Sequence, residues 1–122
     1  MSDRRDSTDA LQGEWVVTAL YWPDHSAVMT VDGRLTVYFE DDRVIGNAGC
    51  NTFRGTVSCS NHALSFGPLM TTRMAADEAT MQQEQVLLVA LANTVSFRLD
   101  QQRLTLERPD GLISLVLHRN DD

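Results

Sequence analysis

The chain has 122 residues, a formal net charge of -7 and a hydrophobic fraction of 43%. This length predicts one domain with its own hydrophobic core, and the composition is ordinary for a globular protein. The acidic charge argues against a nucleic-acid partner, because nucleic acids are bound mainly through basic residues. No run of residues approaches the roughly 20 apolar residues of a membrane helix, so we expect no integral membrane segment.

The N-terminal residues are polar, and we expect residues 1–10 to form a disordered tail before a single domain over residues 11–120. The arginines near the start are not followed by an apolar stretch, so this segment lacks the pattern of a signal peptide. We therefore expect a cytoplasmic location, or a periplasmic or exported one if an export segment has been removed.

Five short strands are predicted before residue 67, because apolar and polar residues alternate there between clusters of turn-forming residues. The predicted strands span residues 14–21, 35–40, 43–45, 53–58 and 63–66. The predicted turns fall at residues 22–26, 31–34, 41–42 and 60–62. In the first strand Trp15, Val17 and Ala19 share one side, and we expect Trp15 to lie in the core.

Residues 46–56 contain three glycines, two asparagines and one cysteine between two predicted strands. So many turn-forming residues predict a backbone that bends sharply where side chains approach it closely. The stretch does not have the pattern of a phosphate-binding loop, because no lysine follows it and a strand follows where a helix would be required.

The second half of the chain contains the segment with helical periodicity. After Pro68 and an irregular stretch over residues 69–76, we predict a helix over residues 77–92, with Asp77 as its N-cap and Asn93 as its stop. The predicted buried stripe consists of Met81, Leu88, Leu91 and Ala92.

Three more strands are predicted at residues 95–99, 103–107 and 112–118. Short strands joined by turns, with a single helix among them, indicate a mainly β fold of the α+β kind. We predict a small antiparallel barrel-like sheet of about eight strands, with the helix near residues 77–92 packed over one side.

Several motifs follow one another between residues 13 and 118. They are Gly13-Glu14-Trp15, Gly49-Cys50-Asn51 followed by Phe53 and Gly55, Leu64-Ser65-Phe66, Thr72-Arg73-Met74-Ala75, the helix residues Glu84, Leu88 and Leu91, and Leu104-Thr105-Leu106 leading to Gly111. In these motifs and their spacing the chain resembles the META domain, also called the HslJ-like domain, whose members are similar to a bacterial heat-shock protein. The resemblance implies a β-rich fold with one packed helix, a role in stress tolerance or envelope maintenance, and no enzyme mechanism. Its members are often exported or lipid-anchored.

The cysteines depart from the pattern of this family. Many members have a cysteine directly after the Met-Ala pair, and the resemblance implies that it bonds to the cysteine matching Cys50, but this chain has Ala76 there. Cys59 is a poor substitute, because nine extended residues span roughly 30 Å and a disulfide needs α-carbons about 4.4–6.8 Å apart. We predict that Cys50 and Cys59 are both thiols, as is usual in a reducing compartment.

The resemblance also marks a structural signature, which consists of Gly49, Cys50, Asn51, Thr72, Arg73, Met74 and Glu84. Glu84 falls between Leu88 and Leu91 on the helical wheel, where a carboxylate is costly unless it is paired or hydrogen-bonded. In a structural interpretation, Glu84 pairs with Arg73 or accepts hydrogen bonds from backbone donors of the glycine-rich turn. In the alternative, it belongs to a polar ligand-binding spot. Our hypothesis is that Asn51, Thr72, Arg73 and Glu84 form one cluster beneath the helix.

We predict no catalytic residue, no metal site and no cofactor. An enzyme would need a histidine or carboxylate within hydrogen-bond reach of Cys50, Ser58 or another nucleophile, and no local motif provides one. The histidines His25, His62 and His118 lie in predicted turns or at a strand end. Scattered histidines and two distant cysteines do not have the spacing of metal ligands.

Trp22, Met70 and Met81 are the candidates for a ligand or partner surface. Trp22 lies beside a proline at a predicted turn, and both exposure and burial remain open for it. Met70, Met74 and Met81 surround the irregular segment, where they either line an apolar pocket or pack in the core, and core packing is the favoured interpretation.

Together these features favour a non-enzymatic accessory or binding protein related to stress or to the cell envelope. We expect a monomer whose partner is an unknown protein or a small apolar ligand. One alternative is a carrier of an apolar small molecule or lipid, which requires a pocket lined by Met, Leu and Val between helix and sheet. Another is a protein–protein interaction module, which requires an exposed apolar patch such as one around Trp22.

Overall fold

The structure is a computed structural model that describes residues 9–24, 27–29, 31 and 34–120. Residues 1–8 of the predicted tail over residues 1–10, and the predicted turn residues 25–26 and 32–33, lie outside the described residues. The first described element is a short 3-10 helix over Asp9–Leu11, in which Leu11 is buried.

Ten strands and one α-helix follow within the described residues. They are β1 (Gly13–Tyr21), β2 (Val28–Met29), β3 (Thr36–Glu40), β4 (Arg43–Asn47), β5 (Thr52–Ser60), β6 (Ala63–Phe66), β7 (Met70–Thr71), α1 (Glu78–Ala92), β8 (Ser96–Asp100), β9 (Arg103–Glu107) and β10 (Ile113–Arg119). The bounds of the eight predicted strands and of the helix agree with these within two residues.

Eight of the strands close into an antiparallel barrel. Its order is β1, β3, β4, β5, β6, β8, β9 and β10, and β10 pairs back with β1. Strand β2 pairs with the end of β1, and β7 pairs with β5. The predicted mainly β barrel of about eight strands with one packed helix is therefore confirmed.

The two additional strands are missing from the sequence prediction, which treated the region of β7 as irregular. Each has only two residues, too few to show an alternating pattern. Strand β7 forms because the chain after β6 continues along β5. The N–H of Gly67 bonds the Thr56 carbonyl at 2.9 Å, and the N–H of Thr72 bonds the Thr52 carbonyl at 3.1 Å.

Side chains fill the interior of the barrel. The fully buried residues include Trp15, Phe39 and Phe53, and every strand of the closed ring contributes to the core. Trp15 is buried as predicted, and its Nε1 donates to the Leu11 carbonyl at 2.9 Å. A change of register in the pairing of β1 with β10 after Val17 places Leu20 in the core, although simple alternation puts Leu20 on the side opposite Val17.

Helix α1 packs against β1 and β10 on one side and against β6 on the other, so it crosses one end of the barrel. Asp77 caps its first turn and Asn93 ends it, as predicted. The predicted buried stripe is wrong by about a third of a turn. The residues of α1 that are buried are Gln83, Glu84, Val86, Leu87, Ala90 and Leu91, whereas Met81 and Ala92 are exposed and Leu88 is half-buried.

Candidate functional site

The glycine-rich stretch forms the end of β4, a tight turn and the start of β5. A side chain at Gly46 would lie 2.3 Å from the Thr36 carbonyl oxygen and from the ring of Phe53, so only glycine fits there. Gly49 has a φ of +124°, in the region that favours glycine. The Ala48 N–H donates to the Asn51 carbonyl at 2.8 Å and closes the turn. The predicted sharp bend and close approach are both present.

Asn51 follows this turn and is buried. Its Nδ2 donates to the Met74 carbonyl at 3.0 Å and to Glu84 Oε2 at 2.8 Å. Its Oδ1 accepts hydrogen bonds from the Thr72 hydroxyl at 2.8 Å and from the Met74 N–H at 2.7 Å. The side chain therefore makes the four hydrogen bonds that an amide can make. It joins the turn, the segment before α1 and the helix itself.

Glu84 approaches Asn51 from the helix and is 7% exposed. Its Oε1 accepts the Asn51 backbone N–H at 2.8 Å, while Oε2 accepts Asn51 Nδ2. The carboxylate thus bonds a backbone donor at the glycine-rich turn, as one form of the structural interpretation proposes. Arg73 is exposed and makes no ion pair with Glu84 within the described residues. The structure brings Asn51, Thr72 and Glu84 together and leaves Arg73 outside.

The remaining signature residues surround this contact. Cys50 is half-buried, and its Sγ lies 3.8 Å from the Met74 carbonyl oxygen and 3.7 Å from that of Ala75. Neither Cys50 nor Cys59 forms a disulfide, as predicted. Cys50 precedes β5 and Cys59 lies near its far end, and this separation explains why they do not pair.

The two described histidines make their contacts elsewhere in the structure. His62 contacts the ring of Phe97 with centroids 6.2 Å apart, and His118 Nδ1 lies 3.0 Å from the Thr18 hydroxyl. His25 is outside the described residues. Ser58 shares a 2.8 Å hydrogen bond with the Ser65 hydroxyl. No group of three or more potential metal ligands is present among the described residues.

The first groove beside α1 is bordered by the β9–β10 hairpin, and we call it the hairpin groove. Its volume is about 330 Å³. The residues that line it are Tyr21, Pro23, Val86, Val89, Ala90, Asn93, Arg108, Pro109, Asp110 and Ser114. Three of these are apolar side chains of α1, and the polar or charged ones include Asn93, Arg108, Asp110 and Ser114. A volume near the lower bound of ligand pockets suits a small molecule with an apolar body.

An ion pair closes one rim of the hairpin groove. Arg108 Nε donates to Asp110 Oδ1 at 3.2 Å, its Nη2 donates to Oδ2, and its Nη1 donates to the Pro23 carbonyl. The bond from Arg108, together with the Leu112 N–H, lowers the pKa of Asp110 to about 2. The same contact raises the pKa of Arg108. Both groups are therefore charged at neutral pH, and the pair links the hairpin to the end of β1.

The second groove borders α1 next to the hairpin groove, and we call it the strand groove because β7 forms part of its wall. Its volume is about 570 Å³. The residues that line it are Phe66, Gly67, Pro68, Leu69, Thr71, Gln85, Leu88, Val89 and Ala92. None of them is charged. Val89 borders both grooves and separates them.

The predicted surface residues occupy other positions. Trp22 is half-buried and borders a third groove with Val28 and the first turns of α1. Met70 is 65% exposed, Met74 56% and Met81 40%. The favoured core packing of these methionines is therefore wrong. Met70 points outward from β7, and Met81 lies on the side of α1 turned away from the barrel.

Sequence reasoning missed the residues of the hairpin groove. The turn at Pro109–Gly111 was recognisable, but the contact of Arg108 with Pro23 joins residues 85 positions apart. The only local signal was Asp110, which follows a proline in a turn two residues after an arginine. Such a spacing permits an ion pair but does not predict a groove.

Comparisons with known proteins agree on the fold. The family model described as the META domain matches residues 8–120. An NMR structure of a protein from Burkholderia xenovorans is 25% identical, covers 94% of this chain and 87% of that chain, and has a TM-score of 0.76. A second NMR structure, 22% identical with a TM-score of 0.63, covers 97% of this chain and 95% of that chain and shows the same fold. A comparison with curated proteins gives no match.

Proposed function

The chain belongs to the META-domain family, and we propose that it is a non-enzymatic accessory protein that binds a small apolar ligand in the hairpin groove. The observation that carries this proposal is the groove itself, an open apolar space of about 330 Å³ between α1 and the sheet. The carrier hypothesis requires a pocket in that location. Of the expected lining residues Met, Leu and Val, only valine is present. Tyrosine, alanine and proline provide the other apolar surface of the groove.

The filled barrel supports binding beside the helix over binding inside the barrel. Trp15, Val37 and Leu104 have no exposed surface, and they meet other buried side chains. A ligand in the interior would have to displace packed residues, which costs several kcal/mol for each large side chain. A ligand in the hairpin groove would displace only water from Val86, Val89 and Ala90.

The charge pattern of the groove favours an uncharged ligand. Arg108 and Asp110 neutralise each other, and three groups of the Arg108 guanidinium already donate hydrogen bonds. Asn93 is exposed at the end of α1 and offers an amide to a hydroxyl or carbonyl of the ligand. An alkanol or a neutral fatty compound fits this arrangement of one polar end and an apolar body.

The proposal that the protein is not an enzyme is supported by the structural roles of the groups whose pKa values are shifted. The pKa values of Asp77, Arg108 and Asp110 are shifted by neighbouring hydrogen bonds that cap a helix or brace a hairpin. The atoms near Cys50 Sγ are backbone carbonyl oxygens, which cannot remove its proton.

For the cellular role we propose a stress-related or envelope-related function, on the grounds of family membership. No helix among the described residues has the length and apolarity that crossing a membrane requires. We also propose a reducing compartment, supported by two cysteines that remain thiols. Growth of a deletion strain after heat or envelope stress tests the role, and a wild-type response would oppose it.

Native mass spectrometry of the protein purified from its own cells tests the binding proposal. We expect a retained neutral small molecule that is lost in Asn93→Trp, because the exposed Asn93 side chain borders only the hairpin groove. The backbone N–H of Asn93 makes the cap hydrogen bonds and its φ is -96°, so the variant should keep the helix end. Alkylation of the same preparation without reductant should add two labels, at Cys50 and Cys59.

Ala92→Trp is the matched control. Ala92 is the neighbouring exposed residue and borders only the strand groove, so this variant should retain the molecule. Absence of any bound molecule from the wild-type protein would contradict the proposal, as would equal retention in the two variants.

A further inference from the structure

One edge of β7 faces the strand groove, and no strand of the described residues pairs with that edge. The Thr72 N–H bonds the Thr52 carbonyl, and Met70 and Thr71 lie opposite Arg54 and Phe53. Because backbone groups alternate in direction along a strand, the N–H and C=O of Thr71 point away from β5. They point towards the groove that Thr71 lines.

We propose that the strand groove binds an extended segment of a partner protein, which adds to β7 as a further strand. This site is separated from the hairpin groove by Val89 and does not depend on a small ligand there. An unpaired strand edge offers alternating donors and acceptors, and an extended polypeptide supplies the complementary set. An apolar small molecule would leave them unsatisfied.

The groove has room and chemistry for such a segment. Its volume is about 570 Å³, and its opposite wall is the helix surface formed by Gln85, Leu88 and Val89. An added strand would run about 4.7–4.9 Å from β7, between β7 and α1. Every second side chain would then point inward onto Phe66 and Leu88, which requires apolar residues at alternate positions.

The other side chains of the segment would point outward beside Met70 and Thr72. The charged residues that border β7 are Arg73, which follows it, and Arg54, which lies opposite Met70. Both are exposed, and neither takes part in a salt bridge within the described residues. Arg73 next to the free edge, with Arg54 one strand further away on β5, favours carboxylates at these outward positions. The partner segment therefore alternates apolar and acidic residues.

Fluorescence anisotropy with a labelled nonapeptide of alternating valine and glutamate tests this inference. We expect it to bind more tightly than the valine–lysine nonapeptide by roughly fivefold or more, because of Arg54 and Arg73. Arg73→Glu should reduce or reverse this preference. Thr71→Pro removes the outward N–H without touching the β5 ladder, so it should weaken binding by roughly tenfold.

Thr71→Val is the matched control, because it keeps the N–H and should bind as the wild type does. Ala92→Trp fills the strand groove from an exposed position and should abolish binding even if Thr71→Pro does not fold. Asn93→Trp, on the other groove, should leave binding unchanged. The inference is overturned if the peptide does not bind or if it binds equally well after methylation of its backbone nitrogens. It is also overturned if Ala92→Trp instead abolishes self-association of the chain, which would make a second copy the occupant.

Discussion

At the scale of single residues, the contact between Asn51 and Glu84 connects the helix to the barrel. The two residues are 33 positions apart, and both are buried. A carboxylate among apolar helix positions indicated a buried network, because such a group needs hydrogen-bond partners. The sequence did not indicate which groups would donate hydrogen bonds to the Glu84 carboxylate. Asn51 supplies two donors to the Glu84 carboxylate, its backbone N–H and its Nδ2. Glu84 therefore needs no ion pair with Arg73, and the Arg73 guanidinium stays hydrated.

This arrangement predicts a graded loss of stability on substitution of Glu84. Glu84→Leu leaves two donors of Asn51 without their acceptor, and we expect a loss of roughly 2–5 kcal/mol in the free energy of unfolding. Glu84→Gln keeps one acceptor oxygen but directs an amide N–H₂ at a donor, so its loss should be smaller, about 1–2 kcal/mol. Urea denaturation at neutral pH measures both values.

Gln85→Leu is the control, because Gln85 is the exposed neighbour of Glu84 on the same helix. It should change stability by no more than about 0.5 kcal/mol. If both Glu84 variants are as stable as the wild type, the network does not hold the helix on the barrel.

At the scale of elements, the β9–β10 hairpin is braced by Arg108 and Asp110. The pKa of Asp110 is lowered to about 2 in the folded protein, against an ordinary value of 3.8. A lowered folded-state pKa stabilises the fold above the unfolded-state pKa. That contribution disappears as the pH falls from 3.8 through about 2.

Asp110→Asn should therefore melt at a lower temperature than the wild type at pH 7, and the difference should shrink towards zero between pH 4 and pH 2, where the Asp110 carboxylate protonates. Asp100→Asn, at the end of β8, is a control without a described ion pair and should show a smaller difference at pH 7. A difference for Asp110→Asn that stays constant over this range would show that its carboxylate charge has no part in bracing the hairpin.

For helix α1, the local sequence pattern predicted the ends of the helix but not its buried face. Its capping residue and its end were predictable, since Asp77 accepts the Thr80 N–H at 3.1 Å in the expected manner. The side of the helix that is buried was not predictable. Apolar residues occur nearly all around the helix, so periodicity alone does not select a side. The barrel end selects Val86, Leu87 and Ala90, and Met81 is left exposed.

At the scale of the whole molecule, alternation and turn chemistry were enough to predict eight strands and a barrel. They could not show its closure, because the pairing of β1 with β10 joins the two ends of the chain. They also could not show the grooves, since each is formed by elements distant in sequence, such as Pro23 and Arg108. The closure of the barrel and the grooves both depend on the tertiary arrangement, which cannot be inferred from a short stretch of sequence.

Titration of the ¹⁵N-labelled protein with 1-octanol, followed by NMR, distinguishes binding of an apolar ligand beside α1 from binding inside the barrel. We predict that the amide signals of Val86, Ala90 and Ser114 shift in a saturable manner, while those of Trp15 and Val37 do not. Saturable shifts of the interior residues, with the groove residues unchanged, would contradict binding in the hairpin groove.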